Sequence, residues 1–269
     1  MIHTLYDDDA PIGRVLTRRE AVIALGGAGA AGLLFLTGCS TAAPNAGAGQ
    51  TASASPGSSG TAPSTASAST RCVAKPELTE GPYFVDEKLN RTDVRVDTAT
   101  GIAKAGTPLL LTFNVSRIAS NACTPLAGAQ VDIWHCDAVG VYSDANDPGF
   151  STKGHNFLRG YQVSDANGAT SFTTIVPGWY QGRASHVHFK IRGKSASGQN
   201  YDFTSQLFFT EQFLTALYTS ADPYKAKGDA GRLRNTSDGI FNEGGAQLLV
   251  TPAKASNGYA ASLNIGLAV

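Results

Sequence analysis

The sequence predicts an all-β fold, an antiparallel β-sandwich with little helix. Short apolar runs with strand character recur after residue 108, and turn-forming residues separate them. Helical spacing of apolar side chains is convincing only at residues 211–219. Many short strands with so little helix are typical of two packed antiparallel sheets. The predicted strands are 109–115, 129–136, 158–163, 170–176, 186–191, 205–209 and 247–250, followed by a weaker run at 259–267.

Local signals bound these elements in chain order. The segment 165–168 reads Asp-Ala-Asn-Gly and predicts a turn between the third and fourth runs, and Pro177-Gly178 ends the fourth. Gly193-Lys194-Ser195 ends the fifth run. The predicted helix has an apolar stripe made of Phe213, Leu214 and Leu217. The sequence contains no internal repeat and no phosphate-binding glycine loop, so repeat architectures and nucleotide-binding folds are not indicated.

The first 39 residues are predicted to be a targeting segment. Arg18-Arg19 is a twin arginine, and an apolar run rich in Gly and Ala follows at 21–36. This run is too short and too rich in glycine for a transmembrane helix. Leu36-Thr37-Gly38-Cys39 resembles a lipobox, in which Cys39 becomes the lipidated first residue after cleavage. An ordinary secretory signal with a chance Arg-Arg pair is the alternative.

These signals predict export by the twin-arginine route, followed by lipid anchoring on the outer face of a bacterial cytoplasmic membrane or in the cell envelope. Residues 40–70 are mostly Ser, Ala, Thr, Gly and Pro without any charge, so they predict a disordered tether. Residues 71–269 are enough for one folded domain. The formal net charge of the chain is zero, which does not favour a nucleic acid as partner.

Three of the four cysteines lie in the predicted domain. Cys72 opens it, and Cys123 lies in a polar loop, so these two are the expected disulfide in an oxidising compartment. Cys136 is predicted to lie within a strand as a buried free thiol. Another disulfide pairing or a soft metal site involving Cys136 is the alternative.

Two of the five histidines, His186 and His188, are the most informative residues of the chain. They alternate with mainly apolar residues, so a strand would place both imidazoles on one face, where they can converge on one metal ion. No Cys-x-x-Cys pattern indicates a structural zinc site. A site of two histidines and one carboxylate could use Asp144 or Asp202, but neither forms the usual His-x-Asp arrangement.

Two tyrosines offer a different set of ligands. Tyr180 follows the Pro177-Gly178 turn and precedes the histidine pair, and Tyr142 lies at the mouth of the run that ends near Cys136. A phenolate is a hard anionic oxygen donor, which suits a trivalent cation better than zinc. Two tyrosinates and two histidines would hold Fe(III) with most of its charge neutralised.

These residues belong to ordered blocks that resemble the intradiol ring-cleavage dioxygenases, the protocatechuate 3,4-dioxygenase-like and catechol dioxygenase-like family that opens catechols with non-haem Fe(III). The resemblance covers roughly residues 77–241. The blocks are Glu-Gly-Pro-Tyr-Phe at 80–84, Val-Asp-Ile-Trp-His-Cys-Asp-Ala-Val-Gly-Val-Tyr at 131–142, Leu-Arg-Gly at 158–160, Asp-Ala-Asn-Gly at 165–168, Pro-Gly-Trp-Tyr at 177–180, Arg-Ala-Ser-His-Val-His-Phe at 183–189 and Ser-Gln-Leu-Phe-Phe at 205–209.

The resemblance implies a β-sandwich of the intradiol dioxygenase type and a set of site residues. Four would be iron ligands, with Tyr142 and His186 equatorial and Tyr180 and His188 axial. Arg183 would stabilise anionic charge on the substrate ring, and Gln206 would lie beside the site. The remaining implied residues form a wall of the substrate pocket: Gly81, Pro82 and Tyr83.

The implied activity is Fe(III)-dependent intradiol cleavage of a catechol with O2, which inserts both oxygen atoms and gives a cis,cis-muconate-type product. The axial Tyr180 would leave the metal with a proton when the catechol binds. His186 follows Tyr180 by only six positions, where the soluble catechol and protocatechuate enzymes carry a longer insert. The N-terminal helical dimerisation region of the catechol enzymes is also missing. Both differences predict a more open pocket, suited to plant- or lignin-derived catechols.

Two other classes of protein remain as alternatives. An exported lipoprotein with this fold could be a non-catalytic module that binds iron or another ligand such as a sugar. It could also be a structural immunoglobulin-like domain of the cell surface. The intact ligand set in family order favours the enzyme.

Overall fold

A computed structural model describes residues 73–119 and 122–269 of the chain. Strands dominate this part. The strands are β1 (Pro108–Ala119), β2 (Ala122–Pro125), β3 (Gln130–Trp134), β4 (Asn146–Asp147), β5 (Phe150–Ser151), β6 (Arg159–Val163), β7 (Ala169–Ile175), β8 (His186–Lys194), β9 (Asn200–Phe209), β10 (Leu249–Val250), β11 (Ala253–Ala255) and β12 (Gly258–Leu267). The helices are α1 (Glu211–Ser220) and α2 (Gly239–Asn242), with 3-10 turns at Tyr224–Ala226, Asn235–Ser237 and Gly245–Leu248.

Two five-stranded sheets form the sandwich. In the first sheet, the order is β11-β12-β1-β2, and β7 also pairs with β1. In the second sheet, the order is β10-β9-β8-β3-β6, so β8 is a central strand. Both sheets contribute to one main core: the ring of Phe113 on β1 lies 5.2 Å from the ring of Phe189 on β8. The predicted all-β sandwich is confirmed.

The sheets are mixed and not wholly antiparallel. β12 runs parallel to β1 with Leu109 opposite Tyr259, and β10 runs parallel to β9. Both strands follow the helical segment that starts with α1, and a long connection of this kind does not impose the antiparallel direction that a tight hairpin imposes. Periodicity in the sequence reports which face of a strand is buried, and it carries no information on the direction of the partner strand.

Burial explains why β8 can serve both the core and a site. Residues 186–191 are all buried. Val187 and Phe189 point into the main core, and His186 and His188 alternate with them onto the other face of the sheet. A second cluster covers that face, made of Trp134, Cys136, Tyr142 and Ala145, with Tyr83, Phe84, Phe150 and Tyr180 packed against it. The histidine face is therefore sheltered from solvent by aromatic side chains.

The cysteine predictions have mixed outcomes. Cys123 is disulfide-bonded, whereas Cys136 is a free, buried cysteine. The expected partner, Cys72, lies outside the described residues, so the pairing stays a prediction. The placement of Cys136 within a strand is wrong, because β3 ends at Trp134 and Cys136 follows in the loop. Its Sγ lies 3.7 Å from the carbonyl oxygen of Gly178.

The predicted signal segment, with Cys39, and the predicted tether lie outside the described residues. Among residues 73–119 and 122–269, no helix is long and apolar enough to cross a membrane.

The main core yields a stability prediction. Phe172 on β7 is fully buried and packs edge-on against Phe113. Phe172→Ala should lower the free energy of unfolding by about 3–5 kcal/mol, because the substitution leaves a cavity. Val163→Ala on β6, where the side chain is 50% exposed, is the matched control and should change stability by less than about 0.5 kcal/mol. Urea denaturation of both variants measures the difference, and equal losses would contradict this description of the core.

A buried histidine outside the predicted ligand set yields a pH prediction. His135 lies with Nε2 2.7 Å from Thr174 Oγ1 and Nδ1 2.8 Å from the carbonyl oxygen of Cys136, as expected for a structural residue. Burial lowers its pKa from 6.5 to about 4. Between these values the unfolded ring binds a proton that the folded ring excludes, so stability falls as the pH drops from 6.5 towards 4.

His135→Gln should remove this contribution to the pH dependence. From pH 7 to pH 4.5, the wild-type protein should lose about 2–3 kcal/mol more unfolding free energy than the variant does. Urea denaturation of both proteins at the two pH values provides the measurement. An identical pH dependence would show that His135 is protonated in the folded state at pH 4.5.

Candidate metal centre

The sheet register positions the two histidines. On β8, His188 lies opposite Trp134 of β3 and opposite Gln206 of β9, and His186 lies opposite Phe208 of β9. The indole of Trp134 stacks on the imidazole of His188 with 5.0 Å between ring centroids and 7° between planes. Because β8 is central, its neighbours fix the histidine face from both sides.

All four predicted ligand side chains converge on one point. Nε2 of His186 lies 2.9 Å from Nε2 of His188, 3.3 Å from Oη of Tyr142 and 3.5 Å from Oη of Tyr180. The side chains of Tyr142, His186 and His188 are at most 2% exposed, whereas Tyr180 is partly exposed. Two imidazole nitrogens and two phenol oxygens therefore share one buried point, and one phenol borders solvent.

A hydrogen bond to the backbone fixes the tautomer of His186. Its Nδ1 lies 2.6 Å from the carbonyl oxygen of Ala184. A carbonyl oxygen can only accept, so Nδ1 carries the hydrogen and Nε2 presents a lone pair to the other three side chains. This is the arrangement of a metal-binding histidine whose second nitrogen is held by the backbone.

His188 is held mainly by packing. It is fully buried, and its Nδ1 has no hydrogen-bond partner among the described residues. Burial lowers the pKa of His188 well below its usual value, and the charge of Arg183 lowers it further. The ring is therefore neutral, which is the form that binds a metal ion.

Two loops deliver the tyrosines, and their backbones touch. Asp137 Oδ1 accepts hydrogen bonds of 3.0 Å from the amides of Val139 and Val141, which shapes the turn before Tyr142. The carbonyl oxygen of Asp137 accepts a 3.0 Å bond from the amide of Gly178, two residues before Tyr180. A Cβ at position 178 would lie 2.4 Å from the carbonyl oxygen of Ala138, so only glycine allows this approach.

The predicted pocket wall lies beside Tyr142. The ring of Tyr83 stacks on that of Tyr142 with 4.3 Å between centroids, and its hydroxyl donates to Asp147 Oδ2 at 2.7 Å. Gly81 adopts a positive φ of 70°, and its amide donates to Thr79 Oγ1. Pro82 is exposed. Tyr83 therefore joins the aromatic surroundings of the site, and Gly81 and Pro82 form the bend that leads to it.

Sequence reasoning did not assign a role to Arg159, which the structure places behind Tyr83 and Tyr142. Its buried guanidinium donates from Nε to Ser143 Oγ at 2.7 Å and from Nη1 to the carbonyl oxygen of Tyr83 at 2.8 Å. It ties the segment that carries Tyr83 to the residue after Tyr142. The Leu-Arg-Gly block at 158–160 was the available signal.

Arg183 and Gln206 lie together at the edge of the site. Nη2 of Arg183 donates to Gln206 Oε1 at 2.6 Å, and Gln206 Nε2 donates to the carbonyl oxygen of Thr79 at 2.8 Å. Arg183 also donates from Nε to Asp238 Oδ2 at 3.0 Å. Both side chains are almost fully buried. Asp238 lay in none of the sequence blocks, and no local pattern distinguished it.

The carboxylates considered from the sequence take no part. Asp144 lies 3.6 Å from the ammonium of Lys153, and Asp202 lies 3.4 Å from that of Lys190. Over the described ranges, no group of three or more His, Cys, Asp or Glu side chains could hold a metal ion. The atoms that do converge are two imidazole nitrogens and two phenol oxygens, so a metal held here would have mixed histidine and tyrosine donors.

Comparison with known proteins agrees with this geometry. The family described as "Dioxygenase" matches residues 79–226, more than half of the chain. The intradiol ring-cleavage dioxygenase of Tetranychus urticae is 31% identical with a TM-score of 0.59, and the match covers 72% of this chain and 94% of that one. The dioxygenase domain of a dioxygenase and carbohydrate-binding protein fusion from Streptomyces sp. SirexAA-E is 29% identical with a TM-score of 0.51, and the match covers 73% of this chain and 99% of that one.

A curated relative supports the same family over a shorter range. Catechol 1,2-dioxygenase 1 of Acinetobacter lwoffii is 28% identical over 144 residues, which cover 45% of this chain and 43% of the relative. This chain therefore spans less than half the length of that enzyme. The matched family segment contains all four converging side chains, and the Tetranychus urticae structure shares the fold almost along its entire length. The chain belongs to the intradiol ring-cleavage dioxygenase family.

Proposed function

We propose that the protein is an Fe(III)-dependent intradiol dioxygenase that cleaves a catechol-type aromatic with O2 to a cis,cis-muconate-type product. The observation that carries the proposal is the convergence of His186 Nε2, His188 Nε2, Tyr142 Oη and Tyr180 Oη on one point. Membership of the intradiol family supports the type of reaction.

The donor set fits Fe(III). Neutral imidazoles supply two nitrogen lone pairs, and two phenolates supply hard anionic oxygens, which suit a trivalent cation better than a divalent one. The buried site, with aromatic walls from Trp134 and Tyr83, favours a centre whose charge is largely neutralised by its ligands. Bound Fe(III) would supply the Lewis acidity that draws electron density from a catecholate ring.

The two tyrosines have different surroundings, which supports different roles. Tyr142 is buried and stacked on Tyr83, so it would stay in place as a permanent ligand. Tyr180 is partly exposed and lies on the short segment that leads to β8. Its phenolate oxygen can accept a proton from an incoming catechol hydroxyl. Tyr180 would thereby act as the base for substrate binding.

Arg183 supplies a fixed positive charge close to the ligands. Its guanidinium is held by Gln206 and Asp238, so no reorganisation is needed when negative charge develops on the substrate. Gln206 in turn donates to the carbonyl oxygen of Thr79, so it is a fixed acceptor for the guanidinium of Arg183. We assign Arg183 to the stabilisation of the anionic substrate, and Gln206 to the orientation of the Arg183 guanidinium.

We further propose that the protein is exported and lipid-anchored through Cys39. The twin arginine at Arg18-Arg19 and the lipobox support this location. The disulfide at Cys123 supports an oxidising compartment, where such bonds persist. Globomycin, which blocks lipoprotein signal cleavage, should cause a larger precursor to accumulate; an unchanged size would contradict lipidation at Cys39.

Oxygen uptake tests the activity. The iron-loaded protein should consume one O2 for each catechol, with the appearance of a product that absorbs in the ultraviolet as a muconate does. Tyr142→Phe removes one ligand oxygen and keeps the ring that stacks on Tyr83. It should lower kcat/KM by more than about 100-fold, because even the loss of an outer partner of a metal ligand costs 10- to 100-fold.

Tyr259→Phe is the matched control, since Tyr259 lies on β12 of the first sheet and packs against Phe213. Its kcat/KM should equal that of the wild type. A wild-type protein that binds Fe(III) and catechol without oxygen uptake would contradict the proposed function and support a non-catalytic binding module. Equal activity of Tyr142→Phe and the wild type would contradict the ligand assignment.

A further inference from the structure

One buried carboxylate connects the C-terminal part of the chain to the candidate metal centre. Asp238 precedes α2 and is 1% exposed. It lies beyond the segment 79–226 that matches the family. Its Oδ1 accepts hydrogen bonds from the amides of Ile240 at 2.8 Å and Phe241 at 3.1 Å, which caps the short helix.

The other carboxylate oxygen faces the site. Oδ2 of Asp238 accepts from Arg183 Nε at 3.0 Å and from the amide of Ala184 at 2.7 Å. The carbonyl oxygen of the same Ala184 accepts the hydrogen of His186 Nδ1 at 2.6 Å. A chain of two hydrogen bonds therefore runs from Asp238 through one residue of backbone to a ligand histidine.

The same oxygen fixes the guanidinium of Arg183. With Nε held by Asp238 and Nη2 held by Gln206, the plane of the guanidinium has two fixed points. The side chains of Arg183 and Asp238 are 5% and 1% exposed, so this is a buried ion pair. A buried ion pair adds little to the stability of the fold. Separating its two groups is costly, however, because each charge would then be buried without compensation.

We propose that Asp238 is a positioning residue of the metal centre. It orients Arg183 towards the substrate and, through Ala184, holds the imidazole of His186 with Nε2 aimed at the other ligands. The inference rests on the proposed function for the role of Arg183, whereas the link to His186 can be measured without iron or substrate.

Asp238→Asn separates this role from helix capping. An asparagine Oδ1 can still accept from the amides of Ile240 and Phe241. Its amide group then faces Arg183 Nε and the amide of Ala184, and an NH2 group cannot accept a hydrogen bond from either. A residue that only caps α2 would tolerate this change, and a positioning residue would not.

Asp229→Asn is the matched control. Asp229 accepts from Arg232 Nε at 2.7 Å, and the side chain of Arg232 is fully buried. The substitution thus removes a carboxylate from another buried arginine of the C-terminal part, where the partners of Asp229 are Arg232, Arg234 and Thr215. It controls for the general cost of losing such a pair.

Three measurements read out the effect. In the apoprotein, 15N NMR should show His186 as the Nδ1–H tautomer in the wild type and in Asp229→Asn, and as a mixture of tautomers in Asp238→Asn. Competition with a chelator should show about 10- to 100-fold weaker Fe(III) binding for Asp238→Asn, and kcat/KM for catechol should fall by a similar factor. Asp229→Asn should keep the wild-type values of both.

The outcomes separate the two claims. A wild-type protein that neither binds Fe(III) nor turns over catechol would refute the proposed function and leave the NMR comparison as the test of the His186 link. Wild-type tautomer, iron affinity and kcat/KM in Asp238→Asn would overturn the positioning role. Equal losses in Asp229→Asn and Asp238→Asn would overturn it as well, since a general destabilisation would then explain both.

A second variant keeps the test open if Asp238→Asn alone does not fold. Arg183→Gln combined with Asp238→Asn removes both charges, so no buried charge is left without its partner. In the apoprotein of this double variant, 15N NMR should show His186 as a mixture of tautomers, because the amide of Ala184 has lost its carboxylate acceptor. His186 as the Nδ1–H tautomer alone would overturn the link.

Discussion

The hydrogen bond from His186 Nδ1 to the carbonyl oxygen of Ala184 is the constraint on which the site depends. At 2.6 Å it decides which nitrogen carries the hydrogen, so Nε2 offers its lone pair to the point where His188, Tyr142 and Tyr180 converge. The distances to His188, Tyr142 and Tyr180 are all measured from His186 Nε2, so rotation of this one ring would move Nε2 away from all three side chains. The surrounding contacts can be understood as means of holding this ring and the groups that face it.

The sandwich supplies rigidity at that point in two ways. β8 is central in its sheet and buried on both faces, so Val187 and Phe189 anchor the histidines by packing into the main core. The tyrosines come from loops, which are less constrained by the sheets. The hydrogen bond between the loop backbones at Asp137 and Gly178 restricts both loops, because it makes the position of one tyrosine depend on that of the other.

The sequence was sufficient to predict those parts of the site that use local patterns. Alternation along β8 placed both imidazoles on one face, and the ordered blocks identified Tyr142, Tyr180, Arg183 and Gln206, which the structure brings together. The parallel pairing of β12 with β1 was not predictable from periodicity, because alternation is the same for either direction of the partner. Asp238 was missed for a similar reason: its partner Arg183 is distant in sequence, and a buried carboxylate has no local signature. Arg159 lies in the Leu-Arg-Gly block, but that block does not indicate its role, because the partners Ser143 and Tyr83 are distant in sequence.

The central claim is that His186, His188, Tyr142 and Tyr180 together bind one Fe(III). Anomalous diffraction at the iron absorption edge, from crystals of the iron-loaded protein, tests this claim most directly. The account predicts a single strong peak within bonding distance of both Nε2 atoms and both Oη atoms. A peak at another place, or a peak that contacts the histidines while both phenol oxygens point away, would contradict it.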